Sequence, residues 1–352
     1  MHPLPPTGRH FGPDVPLLAD SGSMKVLMVT PAGATEHSAD ELDVLLADAR
    51  AGRGVVWVDV PAWDDGAAGV LTDRFGIHPR AAADCAKRNP VPKVHRYSDH
   101  LFLVLHAPER GARGHVHYVE LDQFVGSSWL ITVHGPLNPK VAPEAAAVET
   151  GAVVRRLAAG RMHPTTADEL SYAVVTAMSA RLRDYLSALT EEVWALERQV
   201  TGGHIRDPED FLEELFQVRH GLLAVRTMAA LTREVYGRMT TLPTLGDTAR
   251  PFALDLEDQF RRIAQMGDAQ REYLQGVIEF YQARTNTKMT IAAERLAVIA
   301  AVTLPVTAIS SIMGMNVIVN DSTHISWLVG LLAFMGALSV TMLVWARRQG
   351  WW

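Results

Sequence analysis

The chain holds one cysteine, Cys85, so no disulfide can form within it, and the polar residues around Cys85 suit a reducing compartment. It shows no phosphate-cradling glycine loop, no His-Glu-x-x-His and no nucleophile elbow. Isolated Ser, His and Asp residues argue for no reaction, so the chain is expected not to be an enzyme and to use no organic cofactor. Basic excess is missing too. Lys and Arg number 33 against 39 Asp and Glu, a formal charge of -6, which argues against a nucleic-acid partner and suits the attraction of cations. No basic segment followed by an apolar run opens the sequence, so no signal peptide is expected. Long apolar runs are absent until the last sixth of the chain.

There the pattern changes. Leu304-Pro-Val-Thr-Ala-Ile-Ser-Ser-Ile-Met-Gly-Met-Asn316 ends one apolar run, which is expected to break at Gly314-Met315-Asn316. A short loop (314–324) follows, and Ile325 to Ala346 then carries no charge before Arg347 and Arg348 close it. Runs of about 20 apolar residues match a hydrocarbon core of about 30 Å at about 1.5 Å per residue. The pair reads as a membrane hairpin with spans near 293–313 and 325–346, and residues 347–352 as a tail. Arg284, Lys288 and Arg295 before the first span and Arg347 and Arg348 after the second put both termini in the cytoplasm, for a multi-pass protein of the cell (inner) membrane.

Ahead of the hairpin the chain reads as three regions. Residues 1–23, rich in Pro and Gly, suit a disordered lead-in. Residues 24–160 read as a cytosolic α/β domain. Strand-like runs (Val26 to Val29, Val55 to Val60, Leu101 to His106, Val116 to Val125, Trp129 to Val133) alternate with helix-suited segments such as Asp40 to Arg50 and Pro79 to Lys87. Gly126-Ser-Ser signals a hairpin between the last two strands. Residues 161–250 hold two long charged helices, Thr165 to Val200 and Pro208 to Met239, divided at Gly202-Gly203, with Asp207 and Pro208 as start signals. Their facing tips carry Glu191, Glu192, Glu197, Asp207, Glu209, Asp210, Glu213 and Glu214, which read either as a solvated tip or as an acidic surface that concentrates cations. A stalk helix then occupies 251–313 with no breaker before Pro305, about 60 residues and about 90 Å at the helical rise. Leu256, Phe260, Ile263, Gly267, Leu274, Ile278 and Tyr281 form a seam along it for other helices. The fold class is α+β: an α/β domain, long stalk helices and a two-helix transmembrane hairpin. Because so long a helix cannot bury itself, an oligomer in a lipid bilayer is expected.

Two membrane helices cannot enclose a water-filled path, whereas a ring of subunits can. The first helix is the candidate inner one, because it carries Thr290, Thr303, Thr307, Ser310 and Ser311. Leu296, Ala300, Leu304, Thr307 and Ser311 recur every three or four residues and suit one pore-lining stripe. At its outer end, carbonyl oxygens of Asn316 and the Gly314 backbone can accept hydrogen bonds from the water shell of an ion that dehydrates reluctantly, as Mg2+ does.

With these residues the chain resembles the CorA family of divalent-cation transporters, marked by Gly-Met-Asn between two C-terminal membrane helices, here Gly314-Met315-Asn316. Pro305 in the preceding helix and Arg347-Arg348 near the end agree with it. Phe75-Gly-Ile-His-Pro79, Asp84, Pro92-Lys93-Val94, Tyr97, Leu121-Asp-Gln-Phe and Trp129-Leu-Ile-Thr-Val-His134 extend the likeness through the soluble part. The resemblance implies a funnel-shaped homopentamer passing Mg2+ and Co2+, with a selectivity ring at Gly314, Met315 and Asn316 and apolar constrictions at Leu296 and Leu304. It also implies regulatory Mg2+ between neighbouring cytosolic domains, with Asp84 and Asp255 as ligands and Asp258 at a second site. The chain differs from the family in having Met313 before the signature, Asp321 as the only carboxylate of the outer loop, and Thr290 at the cytosolic mouth.

A ZntB-like Zn2+ transporter is the alternative within the family. Histidines 95, 100, 106, 115, 117 and 134 invite it, yet none has the spacing of a tetrahedral site backed by further ligands. A non-conducting membrane-anchored metal sensor is the alternative outside it; the hydroxyl stripe and Asn316 count against that reading.

Overall fold

The computed structural model describes residues 24–317 and 325–348, apart from Leu137, His204, Arg206 and Thr244, and for 313–317, 325, 326 and 328 it describes the backbone only. The lead-in 1–23, loop residues 318–324 with Asp321, and the last residues 349–352 lie outside the described residues. The chain divides into two compact units, Met1–Leu274 and Gln275–Trp352.

The first unit is built on seven strands: β1 (Lys25–Thr30), β2 (Gly33–His37), β3 (Val55–Val60), β4 (Lys93–Arg96), β5 (His100–Arg110), β6 (Val116–Gly126) and β7 (Trp129–His134). Their order is β2-β1-β3-β7-β6-β5-β4. Only β3 and β7 pair in parallel, with Trp57 opposite Leu130; the other neighbours are antiparallel. Every residue of β3 and β7 is buried, which is why both read as largely apolar runs, interrupted by Asp59 in β3 and by Thr132 and His134 in β7. The edge strands β2 and β4 bury almost nothing, and their sequences, Gly-Ala-Thr-Glu-His and Lys-Val-His-Arg, show no strand signal.

Short helices α1 (Leu42–Arg50), α2 (Asp65–Phe75) and α3 (Pro79–Cys85) cover one face, burying Leu42, Leu46, Leu71, Phe75 and Cys85 against Val56, Val58, Phe102, Phe124 and Ile131. The opposite face carries α4 (Pro143–Ala146), α5 (Val148–Ala158) and the long antiparallel pair α6 (Ala167–Gly202) and α7 (Pro208–Thr240). Thr166 caps α6 by accepting from the Glu169 N–H, and Asp207 caps α7 by accepting from the Glu209 N–H, with Pro208 as first residue. The next helix, α8 (Arg250–Val317), buries Leu256, Phe260, Ile263 and Leu274 along its N-terminal part. It approaches α7 closely at Gly267, where an added Cβ would stand 3.1 Å from the Arg226 Cβ.

The second unit consists of the remainder of α8 and α9 (Ile325–Arg348). One expectation is corrected here. Helix α8 runs through Gly314-Met315-Asn316 to Val317 instead of breaking after Met313. An interior glycine costs a helix only about 0.5–1 kcal/mol, and apolar Ile312, Met313 and Val317 on either side continue the pattern. The signature therefore occupies the last helical turn, and its side chains lie outside the described residues.

Candidate functional site

Both helices of the second unit are long and apolar enough to cross a membrane. Each shelters one stripe. On α8 it is Val298, Val302, Pro305 and Ile309; on α9 it is Leu331, Met335, Leu338, Met342 and Ala346. The opposite side of α8 is open: Leu296 and Leu304 are each 66% exposed, and Thr290, Ala300, Thr307 and Ser311 are exposed with them. The two α8 stripes are offset by two residues, about 200° around a helix with about 100° per residue. Thus the candidate pore stripe faces away from the sheltered side.

Two hydroxyls of the candidate pore-lining residues are satisfied locally. Thr290 donates to the Asn286 carbonyl at 3.0 Å and Thr307 to the Thr303 carbonyl at 2.8 Å; off the stripe, Thr303 donates likewise to Ile299 at 2.8 Å. A hydroxyl with its one proton so used still offers oxygen lone pairs, so these positions can accept hydrogen bonds from water. Pro305 has no N–H for the Ala301 carbonyl one turn back.

The candidate metal-binding carboxylates belong to the first unit. Asp255 and Asp258 stand one turn apart on α8, and Asp84 is on α3. Asp255 Oδ2 accepts from the Tyr172 hydroxyl at 2.8 Å and from Gln259 Nε2 at 2.6 Å. Asp258 is paired with Arg261 of its own helix. Asp84 Oδ2 accepts from Lys93 Nζ at 2.6 Å, and the same ammonium donates to Asn89 Oδ1 at 2.7 Å. Among the described residues no three His, Cys, Asp or Glu side chains converge as a metal centre, so one chain offers separate carboxylates. Their oxygens are the donor type that Mg2+ takes, and Asp84 and Asp255 keep exposure enough for a hydrated ion.

Beneath Asp84 lies a buried polar layer. Asn89 donates through Nδ2 to Glu120 Oε1 at 2.6 Å and through its backbone N–H to Oε2 at 2.8 Å, and His106 Nε2 meets the Asn89 carbonyl at 2.7 Å. Burial pushes the Glu120 carboxyl up. Burial, reinforced by the charge of Glu120, pushes Asp122 well above the carboxylate range. Burial likewise raises the Cys85 thiol, aided by Asp122, so this cysteine is a packed thiol and not a nucleophile. Burial lowers His106 to about 4, which leaves it neutral at physiological pH.

The histidines do not assemble. His134 Nε2 meets Asp59 Oδ1 at 2.8 Å inside the sheet, where Thr132 also donates to Asp59 at 2.5 Å. Burial works against both charges, but their mutual attraction wins, holding His134 up and Asp59 down. His115 and His117 lie with ring centroids 4.6 Å apart, outside any group of three ligands among the described residues. The acidic tips have structural uses: Glu192 pairs with Arg110, Asp207 caps α7, and Glu197 accepts from Tyr273.

The partners of Asp84 and Asp255 are what sequence reading missed. Lys93 follows Asp84 by nine residues across a loop, and Tyr172 precedes Asp255 by 83. No periodicity links either pair. Lys93 has a signal only as part of the Pro92-Lys93-Val94 run.

The family described as "CorA-like Mg2+ transporter protein" matches residues 52–348. The "Cobalt/magnesium transport protein CorA" of Thermotoga maritima is 24% identical over 284 residues, covering 79% of this chain and 77% of that one. The CorA magnesium transporter structure from Methanocaldococcus jannaschii superposes with a TM-score of 0.76 at 16% identity, over 94% of this chain and 98% of the other. The ZntB cytoplasmic domain from Vibrio parahaemolyticus superposes with a TM-score of 0.58 at 12% identity, over 76% of this chain and 99% of that domain.

Proposed function

The chain belongs to the CorA-like Mg2+ transporter family, and on that premise we propose that this divalent-metal transporter conducts hydrated Mg2+, with Co2+, passively into the cell through a ring of its own copies. The observation that carries the reading is the stripe Leu296, Ala300, Leu304, Thr307 and Ser311, exposed on the side of α8 opposite its sheltered residues, with Thr290 exposed ahead of it. In a ring, taken as a homopentamer from the family, those faces turn inward. Thr290, Thr307 and Ser311 then offer oxygen to the ion's water shell, while Leu296 and Leu304 form apolar constrictions that close by dewetting. Carbonyls of Gly314 and Asn316, with Met315 between them, form the outer selectivity ring. Hydrogen bonds to bound water leave that shell on an ion reluctant to lose it.

The driving force needs no nucleotide. Two charges crossing 100 mV are worth about 4.6 kcal/mol, at about 2.3 per charge. Intracellular Mg2+ regulates by bridging Asp84 of one copy to Asp255 of the next, with Asp258 at a second site. A bridging cation relieves the repulsion of facing carboxylates and favours the closed ring, and its loss releases it. Asp84 and Asp255 fit that role by their exposure and oxygen donors.

The test is a flux panel with purified protein in sealed vesicles. Mg2+ and Co2+ uptake should exceed Ni2+ and Zn2+, and collapsing the potential without an ion gradient should abolish net uptake. Zn2+ uptake restored by a pH gradient would replace this reading with the ZntB-like one. No flux of any ion would favour the anchored sensor.

A further inference from the structure

We propose that Lys93 is an internal competitor for the metal at Asp84 and so sets the divalent-cation concentration at which that carboxylate is captured. The inference rests on the reading of Asp84 as a regulatory ligand. Lys93 opens β4, and its ammonium lies 2.6 Å from Asp84 Oδ2 and 2.7 Å from Asn89 Oδ1. Asn89 is itself anchored. Its side-chain amide donates to Glu120 at 2.6 Å and to the Asp84 carbonyl at 3.0 Å, and its backbone N–H donates to Glu120 at 2.8 Å. The loop between α3 and β4 is therefore tied to the sheet, and the ammonium rests on the carboxylate.

An arriving cation competes with Lys93 for the Asp84 carboxylate, whose Oδ2 the ammonium now holds. It must displace the ammonium or sit beside it, and either costs affinity. Side-chain exposures of 26% for Lys93 and 36% for Asp84 leave the pair within reach of a hydrated ion. The other candidate ligands differ. Asp255 is held by the neutral Tyr172 and Gln259, and the partner of Asp258 is one turn away on the same helix. Of the three, Asp84 alone has a counter-cation from another element. A lysine suits the task, because a flexible stem lets the charge swing aside when the metal binds.

The experiment is a Mg2+ titration of the full-length protein, reading the concentration that gives half-maximal protection from limited chymotrypsin digestion. Lys93→Met keeps a long apolar stem near the Phe102 ring and removes the charge. Half-protection should fall about two- to fivefold, the range of a partly exposed ion pair. Lys93→Arg should stay near wild type, Asp84→Asn should need more Mg2+, and Lys93→Met added to Asp84→Asn should change nothing further. An unchanged or raised half-point in Lys93→Met, with Asp84→Asn still shifted upward, overturns the competition while leaving Asp84 as a ligand. If Asp84→Asn is also unshifted, the regulatory reading fails and the competition with it. Lys93→Gln, with its unfolding temperature compared to wild type, serves if the methionine variant does not fold.

Discussion

Asp122 is fully buried on β6, with the Cys85 thiol as its polar neighbour. Burial and then the charge of Glu120 raise its carboxyl. For an acid whose folded pKa is raised, stability is intact below its ordinary value of 3.8 and declines as pH climbs toward the folded value, because ionisation is easier in the unfolded chain. Asp122→Asn removes that penalty. Its thermal unfolding at pH 7–8 should show a gain over wild type of about 1 kcal/mol or more, since each unit by which folding raises the carboxyl is worth about 1.4 kcal/mol. The gain should vanish near pH 4; one that persists there would contradict the assignment. The Asp59–His134 pair obeys the opposite logic. A raised histidine gives stability below 6.5 that is lost at higher pH, and a lowered aspartate gives stability above 3.8 that is lost at lower pH, so the pair supports the fold most between these values. In the sequence these residues are isolated polar letters in apolar runs. What distinguishes them is which partner the sheet register supplies, and that is a long-range fact.

At the scale of elements, the turn between β6 and β7 depends on Gly126. A Cβ there would overlap the Trp129 indole, a buried and rigid neighbour that cannot step aside. Gly126→Ala should therefore destabilise the protein by about 1–3 kcal/mol, the range of overpacking, read as a lower unfolding midpoint. An unchanged midpoint would mean the hairpin yields at no cost. The central strands were legible in the sequence because burial on both faces demands continuous Val, Ile, Leu and aromatics. Edge strands β2 and β4 pair on one side only and bury little, so nothing in their composition marks them. Helix α2 was hidden for another reason: Gly66 and Gly69 lower its helical signal, while its stability comes from the Asp64 cap and from burial of Leu71 and Phe75. Asp207 and Pro208 were readable because capping is local. The end of α8 was misread because Gly314 disfavours a helix only weakly.

For the whole molecule, the apolar runs were legible because each is a pattern within one stretch, and the signature and the stripe at helical spacing are proposals drawn from the same kind of local pattern. The candidate regulatory residues were legible as positions and not as environments: Lys93, Tyr172 and Arg261 occupy carboxylates that the sequence shows bare. The stripe has a further requirement. In one chain Leu296 and Leu304 are each 66% exposed, and on the proposed reading other copies enclose that surface. On the proposed reading, ions cross through a ring whose outer mouth is formed by Asn316. The most direct measurement is Mg2+ uptake into sealed vesicles held at an inside-negative potential, with wild type and Asn316→Ala reconstituted at equal density and matched oligomeric state. Wild type should take up Mg2+ and Asn316→Ala should fall to the level of protein-free vesicles. Equal uptake by the two proteins would contradict the claim.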